Sequence, residues 1–124
     1  MSKVHLSTED IAKCRLAKTI LEKEFSYHLT ISQLARRVGT NENKLKSGFK
    51  LVHHQTIHAF VTTMRIEKAK ELLECTELPI DVIARKLGVD QSNLIKQFKR
   101  KTGVTPGEWR VSRRDINSRY AVQG

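Results

Sequence analysis

Apolar residues recur three and four places apart along most of this chain, the spacing of helices that each bury one stripe. From about Thr8 to Phe25 the stripe is Ile11, Cys14, Ala17, Leu21 and Phe25, with Ile20 beside it. Thr30, with Gln33 three residues on, has the form of a capping box. It opens a second helix striped by Ile31, Leu34, Ala35 and Val38, which Gly39 ends as a left-handed C-terminal residue does. Thr40 or Asn41 can cap the third, whose buried side reads as Leu45, Phe49 and Val52. Thr56 opens a longer helix to about Cys75, apolar at Ile57, Phe60, Val61, Met64, Ala69, Leu72 and Leu73. Pro79 suits the first turn of a fifth, striped by Ile80, Ile83, Ala84 and Leu87 and stopped by Gly88. Asp90 caps a polar sixth anchored by Leu94 and Phe98. Thr105-Pro106 begins a last short helix carrying Trp109, and the tail beyond it is expected to fray. The pattern predicts an all-α fold of about seven helices.

The polar and apolar order also repeats. Leu29, Ile31, Ala35, Arg36, Gly39, Leu45, Phe49 and Lys50 recur 49 residues later as Leu78, Ile80, Ala84, Arg85, Gly88, Leu94, Phe98 and Lys99. Each copy has the grammar of a helix-turn-helix: an apolar-periodic helix, a Gly-led turn, then a polar helix held by Leu and Phe. The predicted organisation is a first helix-turn-helix subdomain over about 8–55, a linker helix over about 56–76, a second subdomain over about 78–111, and a tail over 112–124. A linker of some twenty residues is a rod of roughly 30 Å, comparable with the roughly 34 Å between successive major grooves on one face of DNA.

Charge changes the picture from fold to partner. The 124 residues carry a net charge of +10. Residues 29–55 hold five Lys/Arg against one acid and residues 78–102 six against two, whereas 56–77 hold three against four. A positive charge that follows the repeat suits a polyanion-binding surface. No apolar run approaches the roughly 18 residues of a membrane span, and the N-terminus lacks an apolar signal region. Isolated Cys14 and Cys75 fit bland thiols in a reducing cytosol, without disulfide or zinc spacing.

Three blocks carry a resemblance over roughly residues 8–111. They are F-V-x-x-x-R-I-x-x-A-x-x-L-L from Phe60, I-x-x-I-A-x-x-x-G from Ile80, and F-K-x-x-x-G-x-T-P-x-x-W-R from Phe98. In these the chain resembles the DNA-binding domain of AraC/XylS-family bacterial transcription regulators. The resemblance implies a sequence-specific regulator, by default an activator, placing two recognition helices in successive major grooves of a bipartite, asymmetric duplex site. It also implies RNA polymerase as a partner, a cytoplasmic (nucleoid) location and no cofactor. Three places depart from the family pattern. The turn Gly88-Val89-Asp90 is one residue shorter, with Val89 for an aromatic, which would rotate the second recognition helix. His54 stands where the family has Gly. The family's usual separate ligand-binding domain is not in this chain, so a minimal monomeric member and the C-terminal domain of a longer ligand-sensing regulator, dimeric through that other domain, both stay open.

The residue types suit the task. Off the buried side lie Glu42, Asn43, Lys46, Ser47 and Lys50 in the first polar helix, and Gln91, Ser92, Asn93, Lys96, Gln97 and Arg100 in the second. Asn and Gln can bond adenine N6 and N7, Lys or Arg can reach guanine O6 and N7, and Ser takes either. The base-contact positions carried over from the family are Asn43, Lys46, Ser47, Ser92, Asn93 and Lys96, to which Gln91 is added by type. Arg36, Arg37, Lys44, Lys50, Arg85, Lys86, Lys99 and Lys101 read as phosphate contacts, for a salt slope of roughly −5 to −7 if six to eight engage.

Other residues read as structural. Arg65 matches the family's linker-helix Arg, as an ion pair or hydrogen-bond hub. Trp109 is a core anchor. Gly48 inside a helix costs about 1 kcal/mol against Ala, from a close approach to DNA or a neighbouring helix, or from drift. His53, His54 and His58 lack a neighbouring Cys or acid at metal-ligand spacing. An enzyme would need clustered carboxylates or an activated Cys, and neither pattern is present. A non-specific architectural or RNA-binding role would lack readable recognition helices, or would carry stacking aromatics.

Overall fold

The computed structural model describes residues 5–27 and 29–113. Among them are seven helices and no strand: α1 Thr8–Glu24, α2 Ile31–Val38, α3 Glu42–His53, α4 Ile57–Cys75, α5 Ile80–Lys86, α6 Gln91–Thr102, and α7 over residues 106–113. None of these helices is long and apolar enough to cross a membrane. The tail expected to fray lies almost wholly outside the described residues. Contacts divide the chain into two compact units, 1–64 and 65–124, with the boundary inside α4.

In the first unit the helix starts are set by side-chain caps. Ser7 accepts from the Asp10 amide while the Asp10 carboxylate accepts from the Ser7 amide, and Thr30 and Gln33 form the same reciprocal box. Asn41, rather than Thr40, caps α3 by accepting from the Lys44 amide, and Thr56 caps α4 by accepting from the Ala59 amide. Each such cap stabilises its helix by about 1 kcal/mol. The core joins Cys14, Ala17 and Leu21 of α1, Leu34, Ala35 and Val38 of α2, Leu45 and Phe49 of α3, and Ile57 and Phe60 of α4. At about 1.5–3 kcal/mol per buried large apolar side chain, this core holds the unit together. Val52, expected to be buried, is only partly covered.

Gly48 is buried on α3, and a Cβ placed there would lie 2.8 Å from Cys14 Sγ and 3.4 Å from Leu6 Cδ2. The close approach of a neighbouring helix therefore explains it: α1 lies against α3 at a point with no room for a methyl group. His53, on the next turns of α3, hydrogen-bonds through Nε2 to the Cys14 carbonyl at 3.0 Å and packs on Phe49. His54 then ends the helix at φ 61°, and among the described residues no other non-glycine has a positive φ. That break separates His54 from His58, so the two do not share a continuous helix.

The second unit buries Ile66, Ala69 and Leu73 of α4 with Ile83, Ala84, Leu87, Leu94, Phe98 and Pro106. Ile66 was not among the expected apolar positions of α4. Pro79 occupies the N-cap of α5 rather than its first turn. Thr105 and Glu108 form a capping box at α7, which holds the Glu108 carboxyl below its usual range, chiefly through its hydrogen bond from the Thr105 amide. The family's W-R pair then closes the unit: Trp109 Nε1 donates to Glu74 at 3.0 Å, and Arg110 donates to the Leu73 and Thr76 carbonyls that end α4. Trp109 is thus an anchor, though half-covered, with Lys70 and Arg113 over its ring. Arg65 makes a hydrogen bond rather than an ion pair among the described residues: its half-buried guanidinium donates to the Leu87 carbonyl at 3.2 Å.

Candidate nucleic-acid interface

Two polar helices carry the candidate residues, and the same local chemistry positions both. In the first unit the Thr40 amide donates to the Ala35 carbonyl at 2.9 Å, and Asn41 accepts from the Lys44 amide at 2.9 Å. In the second, 49 residues on, the Val89 amide donates to the Ala84 carbonyl at 3.1 Å, and Asp90 accepts from the Asn93 amide at 2.9 Å. Gly39 and Gly88 both take positive φ, 87° and 73°, which an L side chain adopts only at a cost. The turn that is short by the family pattern therefore shares these two hydrogen bonds with the first turn, while α5 ends one residue earlier than α2, with Leu87 rather than the glycine as its C-cap.

Burying Leu45, Gly48 and Phe49 turns the opposite side of α3 outward, and Asn43, Lys44, Lys46, Ser47 and Lys50 are all exposed there. Lys46, Ser47 and Lys50 line a groove of ≈ 450 Å³ together with Ile31, Thr56, Ile57 and His58. The groove brings the start of α4 beside the polar face of α3. Neither Thr56 nor His58 was singled out for this face, since only the fold carries them to it.

On α6, Leu94 and Phe98 are buried and Gln91, Ser92, Asn93, Lys96, Lys99, Arg100 and Lys101 are exposed. Gln97 departs from the outward set: it is half-buried, and its Oε1 is enclosed without a hydrogen-bond partner among the described residues. Asn93 is exposed but tethered, its Nδ2 donating to Asp90 Oδ2 at 3.1 Å.

The candidate phosphate contacts also separate. Arg36 and Lys86 are exposed on the last turns of α2 and α5. Arg37 is held instead by Glu24, both of whose carboxylate oxygens accept from its guanidinium, at 2.6 and 2.8 Å. That pair pushes the Arg37 pKa up and holds the Glu24 carboxyl below its usual range. Its charge is therefore already neutralised. Arg85 lies 3.8 Å from Asp81, a loose exposed pair worth little. The acids of the segment between the repeats have partners of their own, with Glu67 on Lys70 and Glu71 on Lys68.

Burial, and then Asp10, push the Cys14 thiol away from the reactive thiolate. Among the described residues no three His, Cys, Asp or Glu side chains are grouped to hold a metal ion.

Comparison with known proteins agrees with this arrangement. A family model described as a helix-turn-helix domain matches residues 34–112. The chain is 36% identical over 98 residues to the uncharacterized HTH-type transcriptional regulator YtdP of Bacillus subtilis, covering 78% of this chain and 13% of that protein. It is 31% identical over 91 residues to the HTH-type transcriptional activator RhaR of Klebsiella pneumoniae, covering 73% and 32%. With the regulatory protein SoxS of Salmonella typhimurium it shares 31% over 91 residues, covering 73% and 85%. The chain thus spans about an eighth to a third of the first two relatives, and most of the third. Among solved structures, the C-terminal domain of AraT, a response regulator from Geobacillus stearothermophilus, superposes with a TM-score of 0.79 at 32% identity, covering 89% of each chain. The DNA-binding domain of AdpA, solved with a target DNA, has the same fold, with a TM-score of 0.80 at 19% identity over 84% of this chain and 95% of that one.

Proposed function

The chain belongs to the AraC/XylS family of transcription regulators, and from that premise we propose that it reads a bipartite, asymmetric duplex site with α3 and α6. The observation that carries this reading is the duplication itself. Two units with the same capped turn each present an exposed polar helix, and the excess positive charge follows the two copies. Unlike side chains at equivalent positions, such as Ser47 and Lys96, mean that the two half-sites differ in sequence. One polypeptide can then recognise an asymmetric site without dimerising.

In this reading Asn43, Lys46 and Ser47 contact bases in one major groove, and Gln91, Ser92, Asn93 and Lys96 contact them in the next. Arg36, Lys44, Lys50, Arg85, Lys86, Lys99 and Lys101 hold the phosphates. Phosphate contacts fix register, while base edges carry the sequence information. The protein acts by binding and not by catalysis, in the cytoplasm, and activates transcription through contact with RNA polymerase. RhaR, named as an activator, supports that sign of regulation.

Selection of binding sites from a random duplex library at near-physiological salt tests the reading. Two short unlike blocks centred about 10 base pairs apart are expected. Salt-sensitive binding with no enriched sequence would overturn it and favour an architectural role.

A further inference from the structure

We infer that Asp90 is a positioning residue that presets the Asn93 carboxamide, so that the second unit selects a base with an exocyclic amino group in the major groove. The inference rests on the reading of Asn93 as a base contact.

One carboxylate holds both the backbone and the side chain of the same residue. Asp90 Oδ1 accepts from the Asn93 amide at 2.9 Å and Oδ2 accepts from Asn93 Nδ2 at 3.1 Å. A carboxylate only accepts hydrogen bonds, so the two ends of the Asn93 carboxamide are not interchangeable here. Its NH₂ must face Asp90, and turning the group over would set Oδ1 against a carboxylate oxygen. What remains for a ligand is the Oδ1 acceptor with the second Nδ2–H beside it.

That pair matches adenine best, with Oδ1 accepting from N6–H₂ and Nδ2–H donating to N7. Cytosine offers only the N4 donor and comes second. Guanine and thymine present O6, N7 or O4 acceptors, which oppose the outward oxygen. Asn93 stands in the first turn of α6, and the first residues of a recognition helix are those that reach base edges.

The first unit has no such device. Its equivalent residues, 49 places earlier, are Asn41 and Lys44, joined through the Lys44 backbone amide. A Lys ammonium only donates and the free end of the Asn41 carboxamide is also a donor, so no second hydrogen bond of this kind can form.

The test uses the full chain and a selected duplex. Asn93→Ala first identifies the base pair whose preference Asn93 sets. Affinities are then compared for duplexes carrying each of the four base pairs there. Asp90→Ser and Asp90→Asn both keep a good helix cap, and helical content and Trp109 fluorescence check that the second unit stays folded. The wild type is expected to prefer adenine on the order of tenfold over guanine or thymine, the scale of one bidentate base contact. Asp90→Ser should flatten that preference. Asp90→Asn should move it toward guanine or thymine, because the new NH₂ donates to Asn93 Oδ1 and turns its NH₂ outward. An unchanged ranking in both folded Asp90 variants would overturn the positioning role while leaving Asn93 a base contact. An Asn93→Ala variant with wild-type preferences everywhere would overturn the base contact and the positioning role together.

Discussion

Phe49 meets Phe60 edge-on with ring centroids 5.7 Å apart, and the pair recurs 49 residues later as Phe98 and Trp109, also at 5.7 Å. The duplication therefore runs past the two helix-turn-helix segments, through the paired caps Thr56 and Thr105, to the first turn of the following helix. Such an aromatic pair adds about 0.5–1.5 kcal/mol to the burial of each ring. Phe98→Ala should destabilise by about 3–5 kcal/mol. Trp109 is the chain's one tryptophan, so urea unfolding followed by its fluorescence reads the second unit. A loss below 1 kcal/mol would mean that Phe98 is not a core anchor.

Gly48→Ala should destabilise although alanine is the better helix former. The added methyl would meet Cys14 Sγ at 2.8 Å, on the short side chain of a buried residue. Overpacking of this kind costs about 1–3 kcal/mol, against the roughly 1 kcal/mol that Ala gains over Gly in helix propensity. Cys14→Ala should restore much of the loss, and the coupling in a double-mutant cycle of denaturant midpoints measures the contact.

His54 occupies the left-handed position that Gly103 holds in the second unit, at φ 61° and 88° respectively. His54→Gly should relieve that strain and raise stability by about 1 kcal/mol, read as a higher urea midpoint with unchanged slope. The reverse change, Gly103→His, should cost a similar amount. Nothing lies within 4 Å of a Cβ at Gly103, so any loss there comes from backbone strain rather than crowding.

Acid should weaken the first unit through two carboxylates. The Glu24 carboxyl is held low by its hydrogen bonds from Arg37, and Asp10 by those from the Ser7 amide and hydroxyl. A carboxyl with a lowered folded-state pKa contributes stability that is complete above the unfolded-state pKa and lost as pH falls through the lowered value. Glu24→Gln should therefore lower the thermal midpoint at neutral pH. The gap to wild type should close as pH falls below about 4. A gap independent of pH would assign the effect to packing.

Arg36 and Arg37 are adjacent in sequence and unlike in circumstance. Arg36→Ala should reduce the slope of log affinity against log salt by about 1 on any duplex. Arg37→Ala should change that slope less and lower stability instead, because its charge is already taken by Glu24. Equal slopes for the two variants would show that Arg37 leaves Glu24 on binding DNA.

The helix order, the caps at Thr30 and Asp90 and the left-handed stop at Gly39 were legible in the sequence because each is a local rule, whereas His54 stood out only against the family's Gly. What stayed hidden depends on residues far apart in the chain. Glu24 and Arg37 are separated by a turn and pair only once α1 and α2 are folded. Gly48 had open explanations until Cys14 was seen beneath it. Ile66 was missed because α4 was read as one stripe, whereas Ile57 and Phe60 are buried in one unit and Ile66, Ala69 and Leu73 in the other. At 3.6 residues per turn the two sets do not share a line. The candidate DNA-reading residues came from residue type and family position, and the fold added what those cannot give: Gln97 turned inward, Asn93 tethered, and Thr56 and His58 beside Lys46.

The contact between Gly48 and Cys14 bears on what can be cut from this protein and used elsewhere. The family match begins at residue 34, inside α2, and so leaves out α1 altogether. Yet α1 is the surface on which α3 is seated, closely enough that one methyl group is too much. A graft trimmed to the matched residues would carry both reading helices but lack the template that sets the angle of the first. A transplantable module has to start no later than Leu6.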